Sequence, residues 1–163
     1  MIEAAGVRLR PANPADAATM VAVHAASVDA ERGRGDYDDR QIHAWAWRHT
    51  PERLAERMSR RTFVVAQAGH DLVAYGQLDV AAGVLRSLHV APEWQRQGVG
   101  RRVANDLLAQ ARAAGRATVE LDASLNAVGF YRSLGFDELE RVAHPLADGI
   151  FLTCVRMVKR LAP

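Results

Sequence analysis

Leu88-His89-Val90-Ala91-Pro92-Glu93-Trp94-Gln95-Arg96-Gln97-Gly98-Val99-Gly100-Arg101-Arg102 is the stretch from which the rest of the chain can be read. It ends a β-rich run, Val84–Val90, and opens a helix over about Gly98 to Ala114. There Val99, Val103, Leu107 and Ala111 recur at i+4, with Ala104 and Leu108 beside them, and Gly115 closes the helix. Glycines at such a junction let the backbone approach a ligand without a Cβ in the way. The first turn of a helix carries unpaired N–H groups and a partial positive charge. Together these make an anion site suited to a phosphate or pyrophosphate. Arg96, Arg101 and Arg102 place cations at the end of a helix where they oppose the macrodipole, and a bound polyanion reverses that penalty. A glycine turn before an ordinary helix with surface arginines accounts for the same residues without a ligand. No Gly-Lys-Ser/Thr follows, so this is not a P-loop. Val103 stands where a dinucleotide fingerprint needs its third glycine.

Upstream, Thr62–Ala66, Leu72–Val80 and Val84–Val90 are three strand patterns joined by Gly69-His70-Asp71 and Ala81-Ala82-Gly83, an antiparallel meander. Before them, Val7–Arg10 alternates as a short strand. Asn13-Pro14 then starts a helix whose face holds Ala17, Met20, Val21, His24 and Val28. Asp29–Asp39 reads as a charged loop with two glycines. Helical stretches follow, one holding Ile42, Trp45 and Ala46, the next starting at Thr50-Pro51 with Leu54, Ala55 and Met58 inward. Downstream, Thr118–Asp122 is a strand, Ser124 N-caps a short helix ending at Gly135, and Phe136–Val142 and Ile150–Val158 are the last strands. A meander followed by a strand-helix-strand crossover predicts an α+β fold: one mixed, mostly antiparallel sheet with helices on both faces. Residues 1–163 read as a single domain.

The 163 residues are 49% apolar and 25% charged, ordinary for a globular chain and unlike a disordered one. No apolar run is long enough to span a membrane. Residues 1–6 show neither the basic nor the apolar part of a leader peptide. The one cysteine, Cys154, excludes an internal disulfide and a cysteine-based zinc site, and a cytoplasmic location is expected. The net charge of +2 is too small to indicate nucleic acid, and no basic stripe with interleaved aromatics is present. All basic residues but Lys159 are arginine. His24, His43, His49, His70, His89 and His144 show no ligand spacing, so no metal site is expected.

The run Leu88–Gly100 closely resembles motif A of the GCN5-related N-acetyltransferases, where a strand ends in a Val-x-Pro step before Gln/Arg-x-x-Gly-x-Gly/Ala. About thirty residues on, Ser124-Leu125-Asn126-Ala127-Val128-Gly129-Phe130-Tyr131-Arg132-Ser133-Leu134-Gly135-Phe136 resembles the family's motif B. The element order fits the same acyl-CoA N-acyltransferase fold over nearly the whole chain. The resemblance implies acetyl-CoA as co-substrate. Backbone amides from Arg96 through Gln97, Gly98, Val99 and Gly100 to Arg101 and Arg102 would hold the pyrophosphate, with Gln95 shaping the loop. The strand edge at Leu88, His89 and Val90 would pair with the pantetheine arm, in a gap opened by a splay from the Val119–Leu121 strand. A thioester carbonyl would be polarised near the Val90 N–H. Tyr131 matches the family's acid, a phenol that protonates the departing CoA thiolate.

Two departures stand out. Where many members carry a glutamate general base early in the motif A strand, this chain has Val84, and no carboxylate lies between Asp79 and Glu93. Asp79 and His89 are the substitutes, set against a turn-proximal surface charge and a packed core histidine. Where many members have asparagine in motif B, Ser124 stands, with Asn126 two residues later, and either is a cofactor contact. The acceptor site is expected among the N-terminal helices and loops, where Tyr37, His43, Trp45 and Trp47 cluster. Asp36, Asp38 and Asp39 read as a solvated loop or an attraction for a cationic amine. Cys154 reads as a buried small hydrophobe, with a nucleophilic thiol as the minor alternative. The function expected is transfer of acetyl from acetyl-CoA to a primary amine of a small molecule by direct attack in a ternary complex. Acetylation of a protein N-terminus or lysine, and a non-catalytic acyl-CoA-sensing module, are the alternatives. No nucleic-acid or membrane partner is expected, and a homodimer is left open.

Overall fold

In the computed structural model, which describes residues 6–163, the strands are β1 (Val7–Pro11), β2 (Thr62–Ala68), β3 (Asp71–Asp79), β4 (Val84–Val90), β5 (Thr118–Ser124), β6 (Asp137–Ala147) and β7 (Ile150–Arg160). The helices are α1 (Ala17–Asp29), α2 (Asp39–Ala46), α3 (Pro51–Arg57), α4 (Val99–Ala113) and α5 (Val128–Ser133). Residues 1–5, the greater part of the segment read as lacking a leader peptide, lie outside the described residues. The seven strands form one sheet in the order β1-β2-β3-β4-β5-β7-β6. Every neighbouring pair is antiparallel except β4 with β5.

Alternation along β2 and β3 assigns the faces. Val64 and Ala66 pack with Ala74, Val103 and Leu107 on the α4 side, whereas Phe63, Val65 and Tyr75 pack with Met20 and Leu54 of α1 and α3 on the other. The pairs Val64↔Gly76 and Val65↔Tyr75 fix this register. A slip of one residue would turn both apolar sets to the wrong layer. Helices therefore cover both faces, as the meander and crossover predict. Among the described residues no helix is long and apolar enough to cross a membrane.

Local chemistry sets the helix starts. Asn13 accepts from the Ala15 N–H at 3.0 Å, and Asp16 accepts from the Asn13 N–H at 2.8 Å. Pro14 opens a 3-10 turn there, so α1 itself begins at Ala17. Asp38, read as part of a solvated acidic loop, instead caps α2. Its carboxylate accepts from the Gln41 N–H at 2.8 Å, while the Gln41 side-chain oxygen accepts from the Asp38 N–H at 3.0 Å. Asp39 pairs with Arg32 at 3.0 Å.

The last hairpin is longer than its sequence pattern suggests. β6 continues to Ala147 and β7 begins at Ile150, joined by Asp148-Gly149 with φ of 45° and 75°. Positive φ at both central residues is the tight hairpin turn that matches strand twist. Pro145 obscures the pattern. It is tolerated because β6 is the sheet edge and the register shifts between Pro145 and Ala147.

Candidate active site

The single parallel pair in the sheet barely forms. β4 and β5 share one paired position, Val84↔Glu120, supported by a 2.9 Å bond from the Glu120 N–H to the Gly83 carbonyl. Beyond it β4 stays with β3 as far as Val90↔Ala74, and β5 stays with β7 as far as Ser124↔Cys154. The two strands diverge and leave a cavity of about 210 Å³ lined by Val84–His89 on one side and by Glu120–Asp122 and Ser124 on the other. Among the described residues the β4 backbone facing it has no strand partner past Val84, which suits a strand-like ligand segment.

At the open end of the gap, the chain turns into α4. Arg96 and Gly98 take positive φ of 61° and 84°, the left-handed conformation from which anion-binding backbone concavities are built. None of the amides of residues 96–101 has a backbone acceptor among the described residues, whereas the Arg102 N–H already donates to the Gly98 carbonyl at 3.1 Å. A Cβ built on Gly98 meets nothing within 4 Å, so the space beside this glycine is open. Gly100 differs. A Cβ there would lie 3.3 Å from Val90 Cγ2 and 3.5 Å from Phe130 Cζ, so this glycine lets α4 close onto β4 and α5. Gln95 donates to the Val90 carbonyl at 3.1 Å and ties the loop back to β4. Unpaired amides, a left-handed pair and open space fit a diphosphate, and the adjacent gap fits an extended arm.

Tyr131 reaches the cavity from α5, its ring held edge-on by Phe130 and Phe136 at centroid distances of 5.1 and 5.7 Å. Its hydroxyl makes no hydrogen bond among the described residues, and it is not one of the polar atoms sealed from solvent. Burial pushes the phenol well above its ordinary range, so it keeps its proton at neutral pH. The far wall is charged. Arg156 Nε donates to Asp122 Oδ1 at 2.9 Å and its NH2 to Oδ2 at 3.3 Å. Arg48 donates to His144 Nε2 at 3.1 Å, and since arginine only donates, the His144 proton sits on Nδ1, 3.7 Å from Asp122. Trp45, Leu146, Leu152 and Cys154 complete the wall. Burial pushes the Cys154 thiol up to about 11, so it stays a weakly nucleophilic thiol.

Residues 34–161 match the sequence profile of the acetyltransferase (GNAT) domain. The chain belongs to the GNAT acetyltransferase family. A GCN5-related N-acetyltransferase structure from Rhodopseudomonas palustris superimposes with a TM-score of 0.90 at 28% identity, covering 99% of each chain. The PaiA N-acetyltransferase of Thermoplasma acidophilum, solved in complex with coenzyme A, gives 0.79 at 22% identity over 95% of this chain and 99% of that one. The [ribosomal protein bS18]-alanine N-acetyltransferase of Escherichia coli K12 is 29% identical over 119 residues, 68% of this chain and 79% of that protein. The structure therefore describes a GNAT acetyltransferase whose sheet and helices follow the family fold.

The GNAT fold gathers some of the sequence-predicted residues and disperses others. Leu88, His89, Ser124, Tyr131 and Trp45 line the cavity. Val90 packs toward α4. The Ser124 hydroxyl caps nothing, contrary to its expected N-cap bond. Asn126 is exposed and away from the lining. The Arg102 amide is spent in the helix, and its guanidinium Nη1 donates to the Val7 carbonyl at 2.8 Å. The Arg101 guanidinium donates to Ser133 Oγ at 2.9 Å, and Gln97 to the Glu93 carbonyl at 2.9 Å. Tyr37 is buried outside the cavity. Its hydroxyl donates to the Thr153 carbonyl at 2.6 Å and accepts from the Leu125 N–H at 2.9 Å. Asp79 accepts from the Ala82 N–H at 3.1 Å and pairs with Arg86 at 3.2 Å, at the β3–β4 turn rather than in the cavity. Arg48, Asp122, His144 and Arg156 were not signalled by any motif. Their one trace is the inward alternation Leu152-Cys154-Arg156 on β7.

Proposed function

We propose that this chain, acting as one acetyltransferase domain in the cytoplasm, transfers acetyl from acetyl-CoA to the primary amine of a small molecule. The observation that carries this reading is the β4–β5 gap, with free backbone amides at one end and the unpartnered Tyr131 hydroxyl in its wall. Acetyl-CoA supplies the activated acyl group. The chain's own residues do the rest. Amides of residues 96–101 hold the diphosphate, the free edge of β4 aligns the pantetheine arm, and the buried ring of Tyr131 keeps a proton ready for the CoA sulfur.

A second reading, acetylation of a protein N-terminal alanine, is favoured by the bS18-alanine N-acetyltransferase relatives. The small cavity, walled on the acceptor side by Trp45 and Leu146, favours a compact amine. Release of CoA thiol across a panel of small amines, amino acids and peptides with free α-amines separates the two. Turnover with small amines supports the first reading, and turnover confined to peptides supports the second. Tyr131→Phe is expected to lower kcat by roughly 10²-fold or more while leaving acetyl-CoA affinity unchanged. Equal kcat in both proteins would remove Tyr131 from the chemistry.

A further inference from the structure

The cavity that Tyr131 lines also holds an imidazole, His89, with one ring nitrogen engaged by a serine. His89 Nδ1 lies 2.8 Å from Ser27 Oγ, and Ser27 Oγ lies 3.0 Å from the His24 carbonyl oxygen. With the single serine proton given to that carbonyl, Ser27 Oγ accepts and His89 Nδ1 donates; a Ser27 hydroxyl turned to Nδ1 would instead place the ring proton on Nε2. A neutral ring with its proton on Nδ1 presents a lone pair on Nε2. That nitrogen has no partner among the described residues. It is also absent from the sealed unpartnered atoms, which are His24 Nδ1, the Tyr75 hydroxyl and Arg116 Nε. His89 lines the cavity, and Nε2 is the ring nitrogen left for it, since Nδ1 is engaged by Ser27.

Packing holds the ring in place. His24 of α1 stands edge-on at 4.2 Å between centroids, Tyr75 of β3 lies at 5.8 Å, and Trp45 of α2 at 6.4 Å. The charged and titratable groups that face it are His24 from α1, Tyr75 from β3, and Arg48 and His49 from the α2–α3 connection. No carboxylate is among them. Burial first, then His24, His49 and Arg48, hold His89 well below its ordinary range, so the ring is uncharged at neutral pH. Of the two carboxylates that line the cavity, Asp122 is engaged by the two-pronged bond from Arg156, and Glu120 stands on an exposed position of β5.

We propose that His89 is the general base of this acetyltransferase, taking the amine proton on Nε2, and that Ser27 is the positioning residue that fixes its tautomer. The inference rests on the acetyltransferase reading above. In the step, the amine nitrogen forms the new N–C bond and the C–S bond to coenzyme A breaks. One nitrogen proton passes to His89 Nε2, and Tyr131 gives one proton to the departing sulfur. Solvent then takes the imidazolium proton and reprotonates the phenolate, so the balance is one amine and one thioester to one amide and one thiol.

Nitrogen-15 imidazole spectra of the full chain without ligands test the tautomer directly. Wild type is expected to show His89 protonated on Nδ1, and Ser27→Ala to mix the two tautomers. A wild-type Nε2–H form overturns the proposal. With an acceptor found by CoA release, His89→Gln is expected to lower kcat about 10²-fold or more at unchanged acetyl-CoA affinity. It should also abolish the acidic limb of the kcat–pH profile, which in wild type lies below pH 6.5. Retained kcat and an unchanged limb overturn the proposal. Should His89→Gln not fold, Ser27→Ala keeps the ring and decides the matter by a shifted limb or an unmoved one. Failure of the acetyltransferase reading looks different, since wild type itself would then release no CoA from any amine.

Discussion

The two ends of the β4–β5 gap are made from different materials. At the α4 end the contacts offered to a ligand are backbone amides of residues 96–101, and the side chains nearby are turned elsewhere, Arg101 to Ser133, Arg102 to Val7 and Gln97 to Glu93. At the other end the wall is side chains from α2, β5, β6 and β7, with Arg48, Asp122, His144 and Arg156 in mutual contact. A backbone site asks only for permissive φ and open space, so it is indifferent to most substitutions and vulnerable at a glycine. A side-chain site can be rewired one residue at a time. The same fold can therefore keep its coenzyme while its acceptor changes.

Gly98→Val attacks the backbone end and carries the largest expected effect. The residue sits at φ 84°, which a β-branched residue rarely adopts, and its missing Cβ faces the open space beside this glycine. Loss of two charge-assisted hydrogen bonds at ~1.5–3 kcal/mol each corresponds to roughly 10³-fold weaker acetyl-CoA binding by titration calorimetry. Circular dichroism would show the sheet retained. Unchanged affinity would mean that side chains hold the coenzyme after all, and the contrast between the two ends would vanish.

Acid should unsettle the side-chain end next. His24 is held down to about 4 and His49 to about 3, in both cases by burial first, and His89 lies well below its ordinary range. Each returns to ~6.5 in the unfolded chain. Below that pH the unfolded chain takes up protons that the folded chain refuses. The stability these rings contribute is thus complete above pH 6.5 and is lost as pH falls, through about 4 for His24 and about 3 for His49. With up to ~1.4 kcal/mol per pH unit for each of the three rings, urea unfolding at pH 7 and pH 5.5 should differ by up to roughly 4 kcal/mol. His24→Gln should flatten that slope. A flat wild-type profile would show that the cluster charges without unfolding.

The same contrast explains what could be read from the chain. The amide end is local: a strand, a glycine turn and a helix lie in one continuous segment, and the meander before it is joined by short turns. Its residues were legible together. The charged wall is not local, because β7 inserts between β5 and β6 and brings Asp122 opposite Arg156. Nothing in the spacing of 122 and 156 announces that register. Asp148-Gly149 was a readable hairpin signal, but Pro145 broke the strand pattern ahead of it. Tyr37 was misplaced for a related reason. An aromatic residue in a charged loop suggests a pocket, and only the return of β7 supplies the carbonyl that its hydroxyl finds.

Tyr37→Phe tests that last point and carries the smallest effect. The Tyr37 hydroxyl bridges the Thr153 carbonyl of β7 and the Leu125 N–H, where β5 turns toward α5 and Tyr131. Phenylalanine preserves the buried ring and removes both bonds, leaving the Leu125 N–H without this acceptor. The cost expected is about 1–2 kcal/mol. That is a fall in Tm of roughly 2–8 °C for a chain of this size, read by differential scanning fluorimetry. Acetyl-CoA affinity and the acceptor KM should hold within about twofold, since the ring lies outside the cavity. The reverse pattern, an unmoved Tm with a raised acceptor KM, would make Tyr37 part of the acceptor wall. The side-chain end would then extend from the sheet into the loop before α2, and that loop would become a place where acceptor choice is set.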